Sequence, residues 1–142
     1  MRQIATQKNL HRLAEESAAQ QRARQERLTV LTDAVSALNE LGAASIKLLT
    51  IQHDPIDPAT YKPAIERVQL AKLKMAETTA QLQLLGLASA VQATETARKS
   101  LLKCRTDKLS PVEELSATIR SSIAVALNTY VAELDTPIRF NR

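Results

Sequence analysis

The side chains with the clearest potential for metal chemistry lie at two places in the chain. His53, Asp54 and Asp57 cluster around the first group of prolines, and imidazole and carboxylate groups can bind divalent cations. His11 and Glu15 are four residues apart, a spacing that brings two side chains to one helix face. The same residues can simply solvate a turn or a helix surface, and the Glu-x-x-His pair of di-iron bundles does not occur. We therefore predict no metal site and no cofactor.

Cys104 is the only cysteine, and it lies among basic residues, namely Lys99, Lys103, Arg105 and Lys108. Cationic neighbours favour a thiolate, so a reactive thiol is one interpretation. The sequence has no resolving cysteine, and an inert thiol at a surface or interface is the simpler interpretation. A single cysteine also cannot form an intrachain disulfide, which fits a reducing compartment.

The motifs of phosphate-binding and hydrolytic enzymes do not occur in the sequence. Gly42 and Gly86 are the only glycines, too few for a glycine-rich phosphate loop. Neither Gly-x-Ser-x-Gly nor His-Glu-x-x-His is present. We predict that the protein is not an enzyme.

The composition favours a single all-α domain. The chain has 142 residues, a hydrophobic fraction of 44% and an aromatic fraction of only 2%. Alanine and unbranched side chains dominate, and these lose little conformational freedom in a helix. No stretch is apolar enough to indicate a membrane span, and the N-terminal residues do not resemble a signal peptide.

Prolines mark the expected helix ends, because a proline removes a backbone donor and clashes with the preceding turn. They predict helices over about residues 3–53, 61–106 and 111–135 within a single domain of residues 1–142, followed by a tail over residues 136–142. Gly86 leaves open a break in the second helix. Ser110, Pro111 and Glu113 have the spacing of a capping box at the start of the last helix.

The apolar residues form stripes along these helices. The second helix has two rows, which suggests two neighbouring helices. One row contains Ile65, Val68, Met75 and Leu82; the other contains Leu70, Leu73, Ala80, Leu84, Leu87 and Val91. The pattern predicts an elongated antiparallel helical hairpin plus a third helix, a three- to four-helix, coiled-coil-like bundle.

The third helix is too short to cover the whole hairpin, so an uncovered apolar end is expected. Large uncovered apolar surface usually marks an interface. We predict self-association through this end, with its seam near Leu38, Leu41, Leu49, Ile65, Val68 and Leu73. On this interpretation, Leu41→Glu or Val68→Glu would dissociate the oligomer.

The excess of positive charge lies in two basic segments, residues 1–27 and 98–108, within a net charge of +4. A continuous second helix would place them side by side at the end that bears the N-terminus. The basic pole predicted in this way comprises Arg22, Arg24, Arg27, Arg98, Lys99, Lys103 and Arg105. Such a pole could contact anionic lipid or nucleic-acid phosphates. Nucleic acid is the weaker interpretation, because no aromatic residue near Arg24 is available to stack on bases.

These features indicate a non-enzymatic helical bundle that acts through protein–protein contact, with self-association as its main form. The expected location is cytoplasmic, with membrane association possible through a segment outside this chain. A nucleic-acid-binding bundle and a helical adaptor for another protein are the alternatives.

Overall fold

A computed structural model describes residues 2–53 and 58–135, with the side chains of residues 6–52 and 59–135. It contains four helices, and no strand occurs in the described part. The helices are α1 (Arg2–His53), α2 (Pro58–Leu84), α3 (Ala88–Thr106) and α4 (Val112–Leu134). The predicted all-α bundle is confirmed. The turn with Asp54 and Asp57 and the tail over residues 136–142 lie outside the described residues.

The start of α4 differs from the predicted capping box. Pro111 occupies the N-cap position, and no side chain caps the helix there. The Ser110 hydroxyl donates instead to Asp107 Oδ2 at 2.7 Å, and the N–H groups of Leu109 and Ser110 donate to Asp107 Oδ1. Asp107 therefore organises the α3–α4 turn, because its carboxylate collects the donors that would otherwise be unpaired.

The predicted second helix is broken at Gly86 into two separate helices. Gly86 has a φ of +71°, in the left-handed region that a residue with a Cβ adopts only with strain. The N–H of Leu87 donates to the carbonyl of Leu82, and the N–H of Gly86 donates to the carbonyl of Gln83. This pair of hydrogen bonds is the Schellman motif, which ends a helix. The chain reverses there, so α3 returns beside α2.

Replacing Gly86 with alanine should destabilise the protein by about 1 kcal/mol, because a Cβ disfavours the left-handed conformation. A Cβ at this position would have no neighbouring heavy atom within 4 Å, so the penalty is conformational and not steric. Gly86→Asn is the matched control and should lose less, since asparagine tolerates this region better. Urea unfolding followed by circular dichroism measures both. An alanine variant as stable as the wild type would contradict the prediction.

The four helices form a bundle in which each helix runs antiparallel to the next. Glu40 of α1 meets Arg67 of α2, and the Ser100 and Ser122 hydroxyls of α3 and α4 are 2.6 Å apart. Between α1 and α4, the Arg27 guanidinium donates to the Glu133 carbonyl at 3.0 Å. No contact between α2 and α4 occurs in the described part of the chain, so these two helices occupy opposite corners.

The core lies along the bundle axis and is built mainly from leucine, alanine and a few larger residues. Small side chains allow close helix approach: Gly42 of α1 is buried against α4, where an added Cβ would overlap Ile123 Cδ1. Tyr130 of α4 is the largest fully buried side chain, with 1% exposure. All four helices contribute to one continuous core.

One helix, α1, contains an 18-residue stretch whose mean hydropathy of 1.2 and length could suit a membrane span. Half of that stretch is buried inside the bundle. The core helix of a soluble protein passes the same test, so this composition is weak evidence for a span.

Candidate protein-interaction surface

The residues predicted to form an oligomer seam are mostly part of the core of the single chain. Leu38, Leu41, Leu49 and Val68 are at most 4% exposed, and Ile65 is partly buried against the same core. The prediction of an uncovered hairpin end is therefore wrong. The reason is the reversal at Gly86, which brings α3 and α4 along the α1–α2 hairpin and covers it. Leu73 alone among the six is exposed, at 64%.

Leu73 belongs to a row of apolar side chains on the outer face of α2. Leu70, Leu73 and Leu84 are 67%, 64% and 86% exposed, and Ala80 is exposed between them. Positions 73, 80 and 84 recur at the spacing of one helix face, with 70 beside them. We call Leu70, Leu73, Ala80 and Leu84 the α2 leucine face. It is a mainly apolar strip, interrupted by the exposed Glu77, on a bundle whose interior is already complete.

The predicted basic pole does not exist as one surface. Arg98 and Arg105 line a cavity together with Leu41 of α1. Arg24 lies roughly 25 Å from Leu41 along α1, at ~1.5 Å per residue. The two basic segments therefore lie at different heights along the bundle, because the chain reverses at Gly86 and α3 runs back beside α2. The predictions of an anionic membrane or nucleic acid as partner lose this geometric support and stay predictions.

Within the N-terminal basic segment, Arg27 has a structural role. Its guanidinium donates to the carbonyl of Glu133 near the end of α4. A cation there satisfies a terminal carbonyl and interacts favourably with the negative end of the helix dipole. Arg27 therefore ties α1 to the end of α4, whereas Arg22 and Arg24 are exposed.

Residues 6–26 of α1 extend beyond the bundle as a single exposed helix, apart from the partly buried Ala19 and Ala23. Leu10 and Leu13 are its large apolar side chains, at 61% and 55% exposure. His11 pairs with Glu15 at 3.0 Å across one helical turn. Such pairs stabilise exposed helices slightly. With two large apolar side chains, this segment carries little apolar surface with which to bind a partner.

The environment of Cys104 disfavours a reactive thiolate. It is 5% exposed, and burial is the main cause that raises its pKa, followed by the negative charge of Asp107. The nearby charge of Lys103 acts in the opposite direction but does not reverse the shift. The thiol form therefore predominates at neutral pH.

An ion pair between α1 and α2 lies on the outer surface. The Arg67 guanidinium donates to both carboxylate oxygens of Glu40, at 2.7 and 3.1 Å, and this hydrogen bonding lowers the pKa of Glu40. Both side chains are nearly half exposed, so the pair contributes little to stability. No cluster of three or more metal-ligating side chains occurs among the described residues.

Comparison with known proteins gives no family: no protein-family model matches the chain, and neither a curated protein nor a solved structure matches it significantly.

Leu70, Ala80 and Leu84 are the members of the α2 leucine face that the predicted seam missed. The signal was present in the second apolar row of this helix. Together with the first row, it predicts two neighbouring helices for α2. In the structure, the row ends at the Gly86 turn, and its α2 part faces solvent.

Proposed function

We propose that the protein is a non-enzymatic helical bundle that acts through protein–protein contact, by associating with a second copy of itself through the α2 leucine face. The observation that carries this proposal is the exposure of three leucines on one side of α2. Single exposed leucines are normal, but a strip of them on a regular helix is typical of an interface.

A contact between two such faces would be isologous, with the same helix contributed by each copy. Lys62 and Glu66 precede the leucines along α2, and Lys74 lies beside them. Glu77, four residues after Leu73 and three before Ala80, lies within the strip itself. Both signs of charge are therefore available along the contact, where they set register more than affinity. Because each copy already has a complete core, the association adds to the fold without being needed for it.

Sedimentation equilibrium of the full chain tests the proposal. We expect a mass twice the 15.6 kDa of one chain at micromolar concentration. A variant with Leu70→Gln and Leu73→Gln should sediment as a monomer with an unchanged circular dichroism spectrum. Its melting temperature should no longer depend on protein concentration, because only association of the native state causes that dependence.

The matched control carries Val125→Gln and Val131→Gln on α4, where the side chains are 63% and 58% exposed. It removes a similar amount of exposed apolar surface and should remain a dimer. A monomeric wild type, or a Leu70→Gln and Leu73→Gln variant that keeps the wild-type mass, would disprove self-association through this face. If the wild type is monomeric and binds another helical protein, that result would instead support an adaptor function.

A further inference from the structure

A cavity of about 210 Å³ lies between α1, α2 and α3, and four of its nine lining residues are basic. Lys72 of α2 and Arg98, Lys99 and Arg105 of α3 line it, together with the single carboxylate of Glu95. Ser45 of α1 lines the buried side of the same cavity. Four cations thus face one small space with one acidic group.

The positive charge of the cavity is largely uncompensated. Glu95 is already paired with Arg98 at 2.8 Å. Among the residues that the structure describes, no ion pair joins Lys72, Lys99 or Arg105 to an acidic side chain. Burial lowers the pKa of Lys72, and the charges of Arg105 and Arg98 lower it further. An anion in the cavity would relieve this repulsion.

Ser45 adds a second, independent observation. It is 1% exposed, and its hydroxyl has no hydrogen-bond partner in the described part of the chain. Helical hydroxyls commonly donate to the carbonyl four residues earlier, as those of Thr50, Thr78 and Thr94 do here. The Ser45 hydroxyl makes no such hydrogen bond, and Ser45 lies where α1 borders the basic cavity. A buried polar group without a partner usually indicates a missing ligand or water.

We propose that this cavity binds a small oxyanion of the phosphate type, held by Lys72, Arg98 and Arg105, with the Ser45 hydroxyl as a further donor. Guanidinium groups match the oxygens of phosphate in paired hydrogen bonds, and an ammonium adds a compact charge. The cavity has roughly seven times the ~30 Å³ that one water occupies in the liquid. This space suits phosphate or a small phosphate monoester. The site lies apart from the α2 leucine face and does not depend on self-association.

Thermal unfolding of the full chain in sodium phosphate, compared with sodium chloride at equal ionic strength, tests the site. A ligand that binds only the native state raises the melting temperature as its concentration rises. We expect a saturable increase with phosphate for the wild type. The variant with Lys72→Gln and Arg105→Gln should lose the increase.

The matched control carries Lys74→Gln and Lys103→Gln. It changes the same two helices by the same net charge, but neither residue lines the cavity. This control should respond to phosphate as the wild type does. If the wild type shows no response beyond that of chloride, or if both variants respond like the wild type, the proposed site is wrong.

Ser45→Ala measures the role of the buried hydroxyl. Loss of one hydrogen bond to a charged oxygen should weaken phosphate affinity about tenfold, as measured by isothermal titration calorimetry. Unchanged affinity would remove Ser45 from the proposed ligands.

The source of the phosphate group is distinguished with vesicles of phosphatidylcholine, prepared with and without phosphatidic acid. Cosedimentation that requires phosphatidic acid, and is lost in the Lys72→Gln and Arg105→Gln variant, assigns the site to a lipid headgroup. A response to inorganic phosphate without vesicle binding assigns it to a soluble phosphate. If the protein responds neither to inorganic phosphate nor to vesicles with phosphatidic acid, the proposal is overturned in both forms.

Discussion

Val68→Glu should unfold the bundle and not merely separate folded subunits. Val68 is 1% exposed in the core to which all four helices contribute. The substitution removes a well-packed apolar side chain and introduces a carboxylate into a site that excludes water. An unpaired buried charge is strongly destabilising, by several kcal/mol. Because a whole domain is stable by only about 5–15 kcal/mol, a loss of that size is decisive. Circular dichroism at neutral pH should show a large loss of helix.

Leu73→Glu is the matched control, because it makes the same change on the same helix at a side chain that is 64% exposed. This variant should keep the fold, with a change in unfolding free energy within about 0.5 kcal/mol. If the α2 leucine face is the seam, it should nevertheless be monomeric. A folded, monomeric Val68→Glu variant would instead restore the seam predicted from the sequence and contradict the observed core.

The ends of α1 and α4 beside prolines could be predicted from the sequence because proline acts locally, whereas α2 begins at Pro58, three residues before its predicted start at 61. The end of α1 at His53 and the extent of the last helix follow from Pro55 and Pro137 without knowledge of the packing. The cap of α4 was less predictable, since the Ser110 hydroxyl could hydrogen-bond either to the start of α4 or to Asp107. Asp107 is close in sequence and takes the Ser110 hydroxyl, and this local competition decides the turn.

The break at Gly86 could not be decided from local sequence. A glycine inside a helix costs only about 1 kcal/mol relative to alanine, so a continuous helix and a broken one are close in local energy. The balance is set by distant contacts: folded back, α3 buries Ala97 and Leu101 in the common core. A continuous helix would leave these side chains with fewer partners.

The break at Gly86 accounts for both wrong predictions about the candidate site. A continuous second helix would have exposed Leu38 and Val68 and placed Arg98 near Arg24. With the chain reversed, α3 and α4 cover the leucines, and Arg98 lies beside Lys72 instead. The basic cavity therefore follows from topology. Its buried member, Ser45, lies within the apolar stripe of α1, and nothing in the sequence marks its hydroxyl as unpaired.

Tyr130→Ala should destabilise the protein by about 3–5 kcal/mol, the range observed when large buried aromatic residues are truncated. Tyr130 is 1% exposed, so the substitution leaves a cavity between α3 and α4. It also removes a buried hydrogen bond to the Thr94 hydroxyl. Thr94 donates its own proton to the carbonyl of Ala90, so the Tyr130 hydroxyl is the donor in the pair. Burial raises the pKa of Tyr130, which keeps that proton in place at neutral pH. Urea unfolding followed by circular dichroism measures the loss.

Tyr130→Phe separates the hydrogen bond from the packing, because it keeps the ring. It should lose about 1 kcal/mol, the typical value for one buried hydrogen bond. Tyr61→Phe is the control: Tyr61 is 38% exposed, and its hydroxyl accepts an exposed hydrogen bond from Gln52 at 3.2 Å. That variant should change stability by less than about 0.5 kcal/mol. Equal losses for Tyr130→Phe and Tyr130→Ala would mean that the hydroxyl, and not the ring, holds α3 against α4. A negligible loss for Tyr130→Ala would contradict its place in the core.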